Sequence, residues 1–200
     1  MLLDIITSRH LSERAMSAQS KRALIAMSLG LSVCGSGWLL QVQGYRFNVT
    51  PSEPLGLWRQ AAISGLVKGK LVSACLPLSS RIEEARSRGY LMGGRCQGNL
   101  APIVKSIAAL PGDYVNISNL GVAVNGHLLP KTIPSRADSL GRPLIPAFTG
   151  DRRINAGEVF LISDYSPRSF DSRYFGVIPT VNIVAEIRPV LTTKWKPRGF

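Results

Sequence analysis

The chain has 200 residues, with 24 Lys and Arg against 12 Asp and Glu and a net charge of +12. That length suits one soluble domain plus an appendage. The basic residues are scattered, with no Lys/Arg run and no aromatic–basic repeat, so the charge points to a membrane surface rather than to nucleic acid. The histidines are His10 and His127, and the spacing of Cys34, Cys75 and Cys96 offers no CxxC pair. No metal or other cofactor is expected from that inventory.

No charged residue occurs from Ala23 to Tyr45. The apolar stretch from Ala23 to Leu40, at about 1.5 Å per residue, nearly crosses a hydrocarbon layer of about 30 Å. Trp38 and Tyr45 suit the far interface, and Lys21 and Arg22 abut the near end. The positive-inside rule then keeps the N-terminus in the cytoplasm and exports the rest. A cleaved signal peptide is the competing reading, but the apolar run is long for one and no clean Ala-x-Ala follows it. The expected organisation is a cytoplasmic segment 1–22, a transmembrane anchor 23–45 and an extracytoplasmic domain 46–200.

Residues 46–59 read as extended chain broken by Pro51 and Pro54. Lys70–Leu76 has strand character. Helix signals follow at 80–91, with Ser80 and Glu83 in capping-box spacing and Gly89 as a stop. Outside the cytoplasm Cys75 and Cys96 make a plausible disulfide around that helix, two buried thiols being the alternative. Residues 101–118 read as two strands around a Pro111–Gly112 turn. Residues 122–129 read as a hairpin, with Asn125–Gly126 fitting a type I′ turn. The Pro/Gly/Arg-rich stretch 131–151 reads as a long, mobile loop or flap. "GEVFLIS" and "TVNIVAEIRPVL" are further strands, so the exported part is mostly β with one short helix.

Three stretches carry chemistry. Ser52 sits between Pro51 and Pro54, which alone indicates a stiff turn. Lys105 shares a strand face with Ile103 and Ile107. An ammonium on an apolar face is disfavoured, and a lysine held neutral near pH 7 acts as a general base. An edge lysine that snorkels to solvent is the ordinary alternative. "SDYSPRSFDSRYFG" (163–176) clusters serines, aspartates and arginines, either as a polar turn paired through Asp171 and Arg173 or as a shell that orients the lysine. A Ser-His-Asp triad lacks a suitable histidine, since His127 follows a tight turn.

In this order, "TPSEPLGLWR", "VKSIAALPGDYV" and "SFDSRYFG" resemble motifs of the bacterial type I signal (leader) peptidases. The "PSxPxGLW" form, the single anchor and the Cys75/Cys96 pair are most similar to the TraF-type branch from conjugative transfer systems. The resemblance implies a signal-peptidase-like β-sheet catalytic domain behind one transmembrane helix. It implies Ser52 as nucleophile and Lys105 as base, with Thr50 and the Ser52 N–H as oxyanion donors. Ser169 would hydrogen-bond Lys105, while Asp171 and Arg173 would hold the loop. Glu53, Ser106 and the "SDY" at 163–165 depart from the wider family's Met, Arg and "GDN", which puts an ion pair through Asp164 in doubt. The implied activity is endoproteolysis of an exported, membrane-held precursor, in this branch a conjugative pilin subunit, with cyclisation in some systems. The lipid bilayer and other transfer or pilus-assembly proteins are the implied partners, and no nucleic acid. A general signal peptidase and a non-catalytic periplasmic assembly subunit remain the rivals.

Overall fold

A computed structural model describes residues 17–49, 52–163 and 165–193. It divides into a helical unit that ends at Val42 and a β-rich unit that begins at Gln43. The helix, α1, runs Ala18–Val42 and is apolar and long enough to cross a membrane. Its uncharged portion, 23–42, spans about 30 Å, the thickness of a hydrocarbon core. The helix stops three residues before Tyr45, where the anchor was expected to end. Gly44 there has φ +86°, and Tyr45 instead opens strand β1 (Tyr45–Asn48) and pairs with Arg59.

The β-rich unit continues with β2 (Gly56–Ala61), β3 (Leu71–Ala74), helix α2 (Ser80–Ser87), β4 (Gly93–Cys96), β5 (Ile103–Ala109), β6 (Tyr114–Ser118), β7 (Gly121–Val124) and β8 (His127–Leu128). It closes with β9 (Gly150–Arg153), β10 (Glu158–Ile162), the one-turn helix α3 (Ser172–Phe175), β11 (Ile178–Pro179) and β12 (Ile183–Thr192). Seven strands form one sheet in the order β1-β2-β12-β3-β5-β10-β11, and four form a second in the order β8-β7-β6-β9. The chain is therefore mostly β, as expected, with α3 as a second short helix.

Central strand β5 explains the packing. It pairs antiparallel with β3 on one side and β10 on the other. Ile107 joins a core with Val72, Leu161 and Ile82 of α2, while Ala108 joins a core with Val115, Phe160 and Ile162 on the other side. Both faces of β5 are thus buried, so its side chains read as a nearly continuous apolar run interrupted by Lys105 and Ser106. The turn after β5 leads into the second sheet, not into a hairpin. Asp113 builds it, accepting from the Leu110 N–H at 2.8 Å and pairing with Lys68 at 3.2 Å. Burial pushes its carboxyl up, but the Leu110, Asn125 and Lys68 contacts outweigh that and leave it below the usual value.

Local signals hold with small shifts. The cap of α2 is Ser79, whose side chain accepts from the Ile82 N–H, so the capping residue lies one position before the expected Ser80. The C-terminus closes with Tyr90 N–H to Ala85 and Gly89 N–H to Arg86, the Schellman pattern. Asn125 and Gly126 both have positive φ, as the type I′ turn requires. The stretch 131–149 is long and irregular but anchored. Arg88 donates to the Pro143 carbonyl at 2.7 Å, Arg142 pairs with Asp138 at 2.6 Å and also donates to Arg88 O, and the Ser135 N–H donates to Tyr174 OH at 2.9 Å. Those bonds replace the mobile flap that its composition suggested.

Cys75 and Cys96 form a disulfide with a Cα–Cα distance of 5.6 Å, closing a loop that contains α2. The chain-entropy account gives such a loop about 3 kcal/mol. Replacing both cysteines with serine is expected to lower the melting temperature by about 6–12 °C. Thiol titration of the denatured, unreduced full chain should find one reactive thiol, that of Cys34.

Glu186 of β12 provides a pH-dependent tie. It accepts from Ser64 at 2.9 Å and pairs with Lys70 and Arg188, each at 3.0 Å. Burial pushes its carboxyl up, but those hydrogen bonds and the Lys70 charge bring it down to about 2. A carboxyl depressed in the folded state stabilises above its unfolded value, and the contribution disappears as pH falls through the folded value. The stability gap between wild type and Glu186→Gln should be full above pH ~4.5 and close toward pH ~2. Denaturant titrations across that range measure it.

Candidate active site

Ser52 lies in the loop of the β1–β2 hairpin. Strand pairing ends at Asn48↔Gly56, and Ser52 lies in the connection between them. Gly56 has φ +136°, and β12 passes so close that a Cβ would overlap the Leu191 carbonyl oxygen. Only glycine lets the hairpin leave its loop against that strand. Pro54 is buried, Glu53 is 1% exposed and Ser52 is half-buried.

Side chains then hold the loop's carbonyls. Asn48 Nδ2 donates to Glu53 O at 3.0 Å and Pro54 O at 3.1 Å. Trp58 Nε1 donates to Pro54 O at 3.0 Å. Ser163 Oγ donates to the Ser52 carbonyl at 2.7 Å. Three successive peptide carbonyls, from Ser52 to Pro54, are therefore fixed by named donors. This accounts for the tryptophan of "PLGLW" four residues after Pro54.

Lys105 is 4% exposed in the middle of β5, opposite Val72 of β3. It is an interior lysine, not an edge lysine in solvent. Its Nζ donates to the Val104 carbonyl at 3.0 Å. On the β10 side the register pairs Ser106 with Ile162, and the next position in that register sets Ser163 across from Lys105. The loop of Ser52 and the strand of Lys105 are thus joined through the end of β10.

Behind Ser163 stands a fully buried ion pair. Arg173 Nε and Nη2 each lie 2.8 Å from Asp171, one on each carboxylate oxygen, and neither side chain is exposed. Asp171 also accepts from the Ser163 N–H at 3.1 Å and caps α3 through the Arg173 N–H. Arg173 donates further to Ser169 O at 3.2 Å. Burial pushes the guanidinium down, but the hydrogen bonds and charge of Asp171 outweigh it and hold Arg173 above the ordinary arginine value. Both residues therefore sit where a loop-holding role needs them.

Ser169 is placed differently from its expected contact. Its Oγ is buried without a hydrogen-bond partner, so the Ser169–Lys105 bond is not made in this structure. The Lys105 amine bends back to its own strand at Val104 instead. Thr50, the expected second oxyanion donor, and Asp164 lie outside the described residues. Among the described residues no group of His, Cys, Asp and Glu could hold a metal ion. Asn48, Trp58 and Ser163 are not marked as loop-holding groups by any motif, and Glu53, where the wider family has Met, is buried. Ser163 carried a signal only in its place at the end of "GEVFLIS", where a strand alternation continued by one residue turns it to the Lys105 side.

The Ser52 loop and the strand of interior Lys105 are thus connected through Ser163, in a β-rich unit preceded by an apolar helix. The family described as signal peptidase, peptidase S26, matches residues 22–192, and the chain belongs to that family. Within it the chain is similar to transfer proteins. A conjugal transfer protein TraF of Agrobacterium fabrum (strain C58) is 43% identical over 176 residues, 86% of this chain and 98% of the relative. A plasmid transfer protein TraF of Escherichia coli is 39% identical over 175 residues, 86% of this chain and 96% of the relative. A crystal structure of a signal peptidase I from Enterococcus faecalis V583 aligns over 62% of this chain and 98% of its own, at 20% identity and a TM-score of 0.37.

The buried pair yields a stability prediction. Arg173→Met strands the Asp171 carboxylate and should cost about 3–5 kcal/mol. Adding Asp171→Asn removes the stranded charge and keeps a side-chain oxygen for the Ser163 N–H. The double variant should recover more than half of the loss, read by equilibrium denaturation of both variants against wild type.

Proposed function

We propose that the chain is a membrane-anchored serine endopeptidase with a Ser52–Lys105 dyad that matures an exported precursor held in the membrane. The observation that carries the reading is the joining of the Ser52 loop to the strand end beside the interior Lys105, through the 2.7 Å bond from Ser163. Burial disfavours an ammonium, and a neutral amine is what a general base requires.

In the proposed reaction Ser52 Oγ attacks the scissile carbonyl and its proton passes to the Lys105 amine. The C–O bond forms, and the Ser52 N–H, with Thr50 as a second donor, holds the oxyanion. Collapse breaks the C–N bond, and Lys105 returns the proton to the leaving amine. Water, or an amine of the substrate itself, then attacks the ester carbonyl and loses a proton to Lys105, and the ester C–O bond breaks as Lys105 passes that proton to Ser52 Oγ. The first outcome is a cleaved chain and the second is a cyclised one. Asp171 and Arg173 support the loop, and Ser169 offers a hydroxyl that Lys105 reaches by leaving Val104.

The similarity to TraF transfer proteins supports a pilin-like precursor of a conjugation system as the substrate. Lys21 and Arg22 before α1 support an orientation with the β-rich unit on the periplasmic face of the cytoplasmic membrane. The apolar side chains Phe47, Val49 and Leu55, exposed around the Ser52 hairpin, fit work at a lipid surface.

Full-length protein in proteoliposomes, mixed with the co-encoded pilin precursor, tests the reading. Ser52→Ala, Lys105→Ala and Lys105→Arg should each lower processing about 10³-fold or more with unchanged far-UV circular dichroism, since arginine stays protonated. Retained processing by Ser52→Ala or Lys105→Ala overturns the dyad. Mass spectrometry separates a linear product from a cyclic one lighter by a water. Rescue of a leader-peptidase-depleted strain would point instead to general secretion.

A further inference from the structure

Ser163 falls outside the proposed dyad and its implied supports, yet it is fully buried and both its polar ends are committed. Its N–H donates to Asp171 at 3.1 Å, and its Oγ donates to the Ser52 carbonyl at 2.7 Å. We propose that Ser163 is the positioning residue of the nucleophile: its hydroxyl fixes the Ser52 peptide and couples the nucleophile loop to the strand register of Lys105.

Three features carry this. First, Asn48 and Trp58, which hold the Glu53 and Pro54 carbonyls, belong to the same hairpin as Ser52. They shape the loop internally but set no distance to the base. Ser163 comes from the end of β10, the neighbour of β5, and sits one register step past Ser106↔Ile162, across from Lys105. Second, the Ser163 backbone is itself fixed, because its N–H is bound to a carboxylate locked by two 2.8 Å bonds to Arg173. A donor on a mobile segment would transmit nothing, whereas this one is tied to the buried ion pair. Third, attack needs the nucleophile oxygen within a few tenths of an ångström of its productive position. A carbonyl bond one peptide from the Ser52 Cα restrains its ψ, and with it the direction in which Oγ leaves the backbone.

The inference rests on the dyad reading. The test therefore runs Ser52→Ala, Ser163→Ala and Ser163→Thr together in the full-length protein in proteoliposomes with the pilin precursor. Ser163→Ala should lower kcat about 10–100-fold with KM within about twofold of wild type, and leave the pH–rate profile unshifted. A loss through the base would instead move that profile, and a merely structural loss would be seen in the melting temperature without the kcat–KM split. Ser163→Thr keeps the donor and should retain a kcat at least about fivefold above that of the alanine variant. Wild-type kcat in Ser163→Ala, or a loss confined to KM or to thermal stability, overturns the positioning role. If Ser163→Ala melts early, the threonine variant decides: a kcat as low as that of the alanine variant, at wild-type melting temperature, also overturns it. Activity in Ser52→Ala would sink the dyad itself, an outcome distinct from any of these.

Discussion

A bidentate ion pair between Asp171 and Arg173, closed off from solvent, is the constraint on which the site geometry depends. Taking two charges out of water is costly, and the pair is tolerable only because its remaining valences are used. Asp171 caps α3 and accepts the Ser163 N–H, and Arg173 reaches the Ser169 carbonyl. A buried pair of this kind stabilises little against an apolar replacement, so its value is directional. It sets one orientation for a loop that otherwise consists of small polar residues with many. From Asp171 the constraint passes to Ser163 and from there to the Ser52 carbonyl. The "SFDSRYFG" box thereby acts on the Ser52 loop, more than a hundred residues earlier in the chain, through two hydrogen bonds.

The β scaffold supplies the complementary part. An interior lysine requires a strand whose two faces are both occupied by apolar neighbours, and β5 is such a strand, with Ile107 in one core and Ala108 in the other. Placing Lys105 at an edge would expose its amine to water. Placing it on an interior strand of a seven-stranded sheet keeps it 4% exposed. The Asp113 turn then carries the chain into the second sheet, which covers one face of β5. The "PGD" that follows the lysine thus closes the face of β5 opposite Lys105, while the core of Ile107, Val72 and Leu161 lies on the lysine's own face.

Much of this was legible in residue patterns, and the rest was not for definable reasons. The apolar run of α1, the I′ turn at Asn125–Gly126 and the strand character of 103–109 are local signals, and local signals survive folding. The end of α1 was misjudged because Tyr45 suits a membrane interface by chemistry, whereas its pairing with Arg59 is set by a strand fourteen residues later. The stretch 131–151 reads as mobile because its composition lacks periodicity, although its last two residues begin β9. Its order comes from Arg88 and Tyr174, which reach it across the fold, and from its own Arg142, which donates back to Arg88 O. In the site, Ser52, Lys105 and the Asp171–Arg173 pair stand out as unusual residues in unusual places. Asn48, Trp58 and Ser163 do not, because a hydroxyl or amide that binds a distant carbonyl leaves no trace in spacing.

The unsatisfied Ser169 hydroxyl completes the physical picture. A buried donor without a partner costs free energy, about 1–3 kcal/mol, and such groups persist where a second state uses them. Lys105 in this structure donates from its amine to the carbonyl of Val104 on its own strand. On the proposed mechanism the lysine alternates between neutral amine and ammonium. The ammonium has three protons to place and gains from every additional acceptor oxygen. A serine oxygen left open in the neutral state and occupied in the charged one would stabilise the intermediate selectively. That is the differential stabilisation catalysis needs, because an interaction formed equally in both states would leave the barrier unchanged.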